Sequence, residues 1–163
     1  MENSLPLNNE IKSDWFSEEF IYDSVVKFLK QNGYKIHKDH SQKETIKSGR
    51  IITASRFFKK EVIEVKGYPH HYYSTLRESL SLKNIHARSW FTEALFNSFL
   101  NFSSNDNNEI AMALPNVSRY QAIISKLSDY FSFNDLYFRI YMVNEDSSVE
   151  VSNLNTKYSN SSL

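Results

Sequence analysis

The chain has 163 residues and a mass of 19.1 kDa, which suits one domain with its own core and is too short for two ordinary ones. It contains no cysteine, so disulfide scaffolds, thiolate zinc sites and cysteine nucleophiles are excluded. A net charge of zero argues against a chain that coats nucleic acid by bulk charge. The bases are nevertheless concentrated, because residues 27–88 hold fourteen Lys or Arg against five Asp or Glu.

Neither a membrane span nor a secretory signal is evident. No apolar run approaches the roughly 18–20 residues that a membrane-spanning helix needs, and the start of the chain lacks the basic and apolar regions of a signal peptide. We therefore expect a cytoplasmic protein without membrane contact. We also expect a flexible lead-in over residues 1–13, one folded domain over residues 14–151, and a disordered polar tail over residues 152–163.

The first predicted element is a helix that begins after Ser17. That serine is a suitable N-cap, and Glu18 and Glu19 would lie in the first turn, where the helix dipole favours negative charge. Asn32-Gly33 is typical of a helix end. The apolar positions share one face of this helix: Ile21, Val25, Phe28 and Leu29.

Strands are predicted next. Residues 34–37 suit a short strand, and the β-rich runs 51–54 and 62–66 suit a hairpin of two neighbouring strands. The connection between those runs, SRFFKKE, predicts a charged, solvated turn at its two lysines.

A second helix is predicted over residues 89–102, after a long aromatic and basic connection. Its expected buried face repeats at helical spacing: Phe91, Ala94, Leu95, Ser98, Phe99 and Phe102. The apolar run 109–114, stopped by Pro115, predicts a strand that is covered on both faces.

The remaining elements complete a helix and two strands. Ser118 and Gln121 form a capping-box pattern before a third helix, whose apolar stripe is Tyr120, Ile124, Leu127 and Phe131. Residues 137–143 and 149–151 predict the last two strands. The order α-β-β-β-α-β-α-β-β indicates an α/β protein with a central mixed β-sheet flanked by helices.

The chemistry of the chain is concentrated in the run IEVKGYP, residues 63–69. Side chains alternate along a strand, so Glu64 and Lys66 would face one side of the sheet while Ile63 and Val65 face the other. A carboxylate that holds Mg²⁺ beside an ammonium that orients water suits phosphodiester hydrolysis. An isolated Glu-x-Lys is more often an ordinary strand with a surface ion pair. The tripeptide therefore indicates a nuclease only if the surrounding helices and strands also fit one.

Taken with the early acidic helix, the WFTEALF helix and the IAMALPN strand, this run resembles the PD-(D/E)XK nuclease superfamily, which has the restriction-endonuclease-like fold. The resemblance spans almost the whole chain. It implies a metal-dependent DNA endonuclease using Mg²⁺, or Mn²⁺ in its place, with Glu64, Lys66 and Glu19 (or Glu18) as catalytic residues. The same resemblance implies the Val65 carbonyl as a metal ligand, and it leaves open a homodimer or a partner subunit.

One element of the family pattern is missing. The strand before Glu-x-Lys usually begins with an aspartate, but here Arg50, Ile51 or Ile52 stands there. Asp39 or Glu44 is a candidate replacement ligand. The sequence therefore leaves two alternatives, an active nuclease with a relocated ligand and a degenerate nuclease fold that binds nucleic acid or protein.

Several residues after the Glu-x-Lys strand combine positive charge with flat rings, which suits phosphate contact and base stacking. For any single residue among them, an ordinary surface loop whose rings pack on the core is as good an interpretation as nucleic-acid binding. The candidate nucleic-acid-binding residues are His70, His71, Tyr72, Arg77, Lys83 and Arg88.

Other chemistries lack their motifs. The histidines have no zinc-ligand spacing, no nucleophile elbow supports a serine hydrolase, and three glycines cannot build a phosphate-binding loop. On the second helix, Trp90 is predicted to belong to the core. Glu93 is predicted to reach the metal site or to pair with a base such as Arg88.

Overall fold

The structure is a computed structural model, and it describes residues 15–37, 50–68, 80–102, 108–134 and 136–154. Its helices are α1 (Glu18–Gln31), α2 (Leu80–Leu100) and α3 (Ser118–Phe133). Its strands are β1 (Lys35–His37), β2 (Arg50–Arg56), β3 (Lys59–Val65), β4 (Asn108–Pro115), β5 (Arg139–Val143) and β6 (Val149–Asn153). The predicted order of elements and the α/β class are confirmed.

The strands form one mixed sheet whose spatial order follows the chain, β1-β2-β3-β4-β5-β6. β1, β2 and β3 are antiparallel neighbours, β3, β4 and β5 are parallel, and β6 returns antiparallel to β5. Each parallel pair requires a crossover, and α2 and α3 supply them. Because both crossovers step in the same direction across the sheet, the right-handed rule places α2 and α3 on one face.

The core is divided by the sheet into two clusters, and each cluster has its own helices. On one face, α2 and α3 pack against β4 and β5, and the large buried members of this cluster include Phe91, Met112, Leu114, Tyr120, Phe131, Phe138 and Ile140. On the other face, α1 packs against the sheet through Ile21, Val25 and Leu29, which meet Ile52, Ile63, Val65 and Tyr141. The burial pattern of β4 confirms the prediction of a strand covered on both faces.

The hairpin is tighter than predicted. β2 and β3 pair without interruption as far as Arg56 and Lys59, so only Phe57 and Phe58 form the turn. The predicted lysine turn is therefore wrong, because Lys59 and Lys60 belong to β3. The turn contains no glycine to mark it, and Phe57 instead adopts a left-handed backbone conformation with φ of 55°.

Helix α2 begins about two and a half turns earlier than predicted, at Leu80 rather than Ser89. Ala87 is fully buried in the core and continues the face of Phe91 and Ala94 toward the helix start. At the other end of α2 the predicted buried face is wrong for Phe99 and Phe102, of which 45% and 57% are exposed.

Two predicted boundaries also change. Helix α3 begins at Ser118, so the predicted capping box is wrong: Val117 is the N-cap and makes no side-chain cap hydrogen bond. Strand β6 runs on to Asn153 and Leu154 is buried in the core, so the first three residues of the predicted tail belong to the fold. None of the described helices is long and apolar enough to cross a membrane.

Candidate functional site: the Glu64–Lys66 centre

The carboxyl end of β3 presents Glu64 and Lys66 toward α2, as the alternation of side chains predicts. The amide of Asn97, on α2, donates to Glu64, whereas Ile63 and Val65 belong to the core cluster of α1. Glu64 and Lys66 are both buried, with 1% and 7% of their surface exposed. Two ionisable groups thus share one strand end under a helix.

The chain just after β3 is tied firmly to its neighbours. The backbone N–H of Lys66 donates to the carbonyl of Ala113 on β4 at 3.0 Å, and the Tyr120 hydroxyl donates to the Gly67 carbonyl at 2.8 Å. The backbone N–H of Tyr68 donates to the carbonyl of Phe16 at 2.9 Å. These bonds hold the end of β3 against the chain that leads into α1.

Gly67 is required for this close approach. A Cβ atom at this position would lie 2.5 Å from the Phe16 carbonyl oxygen and 3.2 Å from the Glu18 backbone nitrogen. Glu18 is the first residue of α1, where Ser17 caps the helix by accepting from the backbone N–H of Phe20. The absence of a side chain at Gly67 therefore lets the start of α1, with its acidic first turn, reach Lys66.

The Lys66 ammonium lies among two carboxylates and an aromatic ring. Its Nζ atom is 3.3 Å from Oε1 of Glu93 and 3.7 Å from Oε1 of Glu18. It also lies 5.2 Å from the centroid of the Trp90 ring. Glu93 and Trp90 lie on α2 and Glu18 lies on α1, so this one ammonium bridges helices from opposite faces of the sheet.

The Glu64 carboxylate is only half satisfied. Asn97 donates to Oε1 at 3.1 Å, but Oε2 is buried and has no hydrogen-bond partner. Burial raises the pKa of Glu64 to about 7, although the Asn97 hydrogen bond and the Lys66 charge both act to lower it. The charges of Glu18 and Glu93 raise that pKa further. Near neutral pH, this carboxyl is poised between its two protonation states.

The position of the missing aspartate is resolved by the strand register. Ile51 pairs directly with Glu64 and therefore lies on the same face of the sheet. Arg50 faces the other side, with its guanidinium 5.8 Å from the centroid of the Tyr22 ring on α1, and Ile52 is buried in the core cluster of α1. The side chain that stands opposite Glu64 is therefore apolar and cannot bind a cation.

The described residues do not fit a Mg²⁺ ion. Mg²⁺ prefers several oxygen ligands in an octahedral arrangement, but the Glu18 and Glu93 carboxylates are paired with the Lys66 ammonium. In the described part of the chain, no group of three His, Cys, Asp or Glu side chains is arranged to hold a metal ion. The one feature that favours a cation is the unpartnered Oε2 of Glu64.

The first-helix carboxylate that reaches the site is Glu18. Glu18 contacts Lys66, whereas the side chain of Glu19, the predicted catalytic residue, is exposed to solvent. Of the two alternatives that the sequence left open, the structure therefore brings Glu18 and not Glu19 to Lys66, and the helix phase explains the difference, since consecutive residues point about 100° apart. The prediction that Glu93 reaches the site or a base is confirmed, although the base is Lys66 rather than Arg88.

Most of the predicted DNA-contacting residues lie outside the described residues. The predicted ligand Asp39 also lies there, as do His70, His71, Tyr72 and Arg77. Lys83 belongs to α2, and Arg88 is exposed on the same helix. These assignments stay predictions.

Sequence reasoning missed Asn97 and placed Trp90 in the core rather than beside Lys66. Trp90, Glu93 and Asn97 are spaced i, i+3 and i+7, so they share one face of α2. That spacing is the signal that could have grouped them. Sequence reasoning did not use that spacing because the apolar side chains of the same helix, such as Phe91 and Ala94, also repeat at helical spacing and were used to define its buried face.

A second buried ionic cluster lies at the amino end of β3. Arg139 donates to Oε2 of Glu61 at 2.9 Å, and the Tyr141 hydroxyl donates to the same carboxylate at 2.9 and 3.0 Å. Arg139 also pairs with Glu109, which accepts from Lys59 at 2.5 Å. Burial raises the pKa of Glu61, and the Arg139 charge and the Tyr141 hydrogen bond oppose that rise.

No protein-family model matches the sequence, and no curated protein matches it. Among solved structures, the chain is similar to an XisH family protein from Nostoc punctiforme PCC 73102, with a TM-score of 0.47 and 17% identity over 80% of this chain and 95% of that one. It is also similar to an FdxN element excision controlling factor protein from Anabaena variabilis, with a TM-score of 0.45 and 20% identity over 84% of this chain and 99% of that one. At these identities and TM-scores, neither likeness carries an argument about function.

Proposed function

We propose that this chain is a nuclease-like protein that binds DNA but does not by itself bind a catalytic metal ion. In place of a metal ion, the Lys66 ammonium neutralises the carboxylates of the site. The observation that carries the proposal is the Lys66 ammonium, which lies within ion-pair distance of both Glu18 and Glu93. An ammonium held in this way neutralises the carboxylates that a divalent cation would need. The buried ammonium thus acts as an internal counter-ion.

The nuclease-like class is supported by the position of the site. A Glu-x-Lys pair at the end of a central strand, with a glutamate from the first helix beside it, is the arrangement that the resemblance to PD-(D/E)XK nucleases implies. Lys66 and Glu18 meet in this way across the end of β3. The element order and the mixed sheet agree with that class.

The loss of the metal centre is supported by the partner of Glu64 across the hairpin. Ile51 lies directly opposite Glu64, where a second carboxylate would have to stand to share a cation. The apolar side chain and the buried Oε2 leave Glu64 without a co-ligand among the described residues.

DNA as the partner is supported by the charge distribution. Residues 27–88 carry an excess of bases in a chain that is neutral as a whole. Several of these bases are exposed in the structure, among them Arg50 at the start of β2 and Arg88 on α2. Exposed arginines suit contacts with the phosphate backbone, and such contacts weaken steeply as salt rises.

The test combines DNA binding with DNA cleavage. Binding of labelled duplex, branched and single-stranded DNA is measured by fluorescence anisotropy at low and at raised salt, for wild type and Arg88→Ala. Lys126→Ala, which changes an exposed base outside the basic segment, is the matched control. We expect salt-sensitive binding that Arg88→Ala weakens and Lys126→Ala leaves unchanged, with no plasmid cleavage in Mg²⁺ or Mn²⁺.

Two results would overturn the proposal. An absence of DNA binding even at low salt would remove DNA as the partner. Plasmid cleavage that requires Mg²⁺ and disappears in Lys66→Ala would show that the centre is an active nuclease.

Active metal-dependent hydrolysis is the second candidate function, and the unpartnered Oε2 of Glu64 favours it. It requires a further carboxylate from outside the described residues, for which the sequence offers Asp39 and Glu44. Cleavage lost both in Lys66→Ala and in Asp39→Asn would support this candidate. Cleavage that Asp39→Asn leaves unchanged would exclude Asp39 as the replacement ligand.

A further inference from the structure

The carboxyl ends of α2 and α3 expose an apolar surface that no described element covers. Six large side chains form this surface, which we call the helix-end patch, and between 45% and 89% of each is exposed: Phe96, Phe99, Leu100, Phe102, Tyr130 and Phe133. Phe99 and Tyr130 both contact the buried ring of Phe131, with ring centroids 6.5 and 6.1 Å apart. Because Phe99 lies on α2 and Phe131 on α3, this contact brings the two helix ends side by side.

The area of the helix-end patch matches one side of a protein interface. If each of the six side chains offers roughly the 150–250 Å² of a buried aromatic ring, their exposed fractions amount to about 570–950 Å² on one copy. The largest apolar patch on a typical monomer is about 300–600 Å². A standard interface buries about 800 Å² on each partner, with an apolar centre and a polar rim.

The charge of the helix-end patch favours a second copy of this chain as its occupant. Residues 94–102 and 130–134 contain no charged side chain, and the charged residue next to Tyr130 is the acidic Asp129, so the patch offers no base to a phosphate or an anionic lipid. A twofold interface brings each patch against itself, which the uncharged centre of the patch tolerates without repulsion between like charges. The whole chain also has zero net charge, so two copies do not repel each other in bulk.

We infer that two copies of this chain associate through the helix-end patch in a twofold dimer. The patch lies toward the carboxyl end of α2, whereas Trp90 and Glu93, nearer the start of the helix, reach Lys66. Asn97, which donates to Glu64, stands between Phe96 and Phe99, so the patch borders the Glu64–Lys66 centre. This inference rests on the exposed surface and is independent of the proposed function.

The test is the mass of the full chain in solution, measured by sedimentation velocity from about 1 to about 100 µM, a range that brackets micromolar dissociation constants. The variant Leu100→Asp/Phe133→Asp places like charges across the twofold contact. Phe58→Asp is the matched control, because Phe58 is fully exposed at the hairpin turn and lies outside the patch. Wild type and control should reach twice the 19.1 kDa of one chain, while the double variant should stay monomeric.

A monomeric wild type over the whole concentration range would overturn the inference. So would a double variant that dimerises like wild type, or a Phe58→Asp chain that dissociates like the double variant. Thermal unfolding of each chain checks that it is folded. The milder Phe133→Ser, which changes a side chain that is 89% exposed, repeats the test if the double variant does not fold.

Discussion

Strand β3 carries two buried glutamates three residues apart, Glu61 and Glu64, and the surroundings of the two carboxylates differ. Both oxygens of Glu61 have donors, from Arg139 and the Tyr141 hydroxyl. Glu64 has one amide donor on Oε1 and a buried Oε2 without a partner. The Lys66 ammonium, whose charge acts to lower the pKa of Glu64, is also within ion-pair distance of two other carboxylates.

The difference separates a structural role from a functional one. A buried carboxylate whose oxygens are all satisfied stabilises one arrangement of the sheet and leaves no capacity for a ligand. A buried carboxylate with an unused oxygen costs stability unless a proton or a cation satisfies it, which is typical of functional sites. The amino end of β3 thus anchors the fold, and its carboxyl end holds the candidate site.

The largest expected effect is at the amino end. Arg139→Ala leaves Glu61 buried without its charge partner, so we expect the free energy of unfolding to fall by about 3–5 kcal/mol. Urea denaturation measures it, and Arg88→Ala, which removes an exposed arginine, should leave stability unchanged. A loss below about 1 kcal/mol in Arg139→Ala would contradict the distinction between the two glutamates, because the Glu61 cluster would then not stabilise the fold.

The second effect is the pH dependence that Glu64 causes. The pKa of Glu64 is about 7 in the folded chain and near 4.5 when unfolded. Between these values the folded state binds more protons, so its stability falls as pH rises from about 4.5 to about 7. Glu64→Gln removes this dependence. The free energy of unfolding of the variant minus that of wild type should therefore rise by up to about 3 kcal/mol from pH 4.5 to pH 8.

Urea denaturation at the two pH values checks this expectation, with Glu145→Gln, a change to an exposed glutamate away from the site, as the control. Using the difference between two pH values cancels the effect of the substitution itself on packing. An equal stability difference between Glu64→Gln and wild type at both values would mean that Glu64 titrates as an ordinary exposed carboxyl.

A smaller effect is expected at Gly67. Gly67→Ala forces the Phe16 carbonyl and the start of α1 away from β3, which should cost about 1–3 kcal/mol and separate Glu18 from Lys66. Gly33→Ala is the control: its Cβ meets no atom, and its left-handed backbone alone costs about 1 kcal/mol. If Gly67→Ala costs no more than Gly33→Ala, the close contact between α1 and β3 does not position the site.

Much of the fold was predictable because its signals are local. The N-cap at Ser17, the alternation through Glu64 and Lys66, and the apolar run before Pro115 each depend on residues close in sequence. The errors arose where local signals are weak. No glycine marks the turn at Phe57, and the early start of α2 depends on Ala87 reaching a core formed by distant strands.

The candidate site was predictable only in part, for a related reason. Glu64 and Lys66 are two residues apart and share a strand, so their proximity follows from the strand geometry. Their partners come from elsewhere in the chain: Glu18 precedes them by more than forty residues, and Asn97 follows Glu64 by 33. The Glu61 cluster was not predicted at all, because Arg139 lies 78 residues away and no local motif links the two.

The most direct test of the account is whether Mg²⁺ stabilises the chain against thermal unfolding, compared between wild type and Lys66→Met. Only an ion that binds the folded state in preference to the unfolded state raises the unfolding temperature. We expect no shift in wild type, where the ammonium already neutralises Glu18 and Glu93, and a saturable rise in Lys66→Met, where those carboxylates lose their counter-ion. A saturable rise in wild type that disappears in Glu64→Gln would contradict the account and show that Glu64 holds a metal beside Lys66.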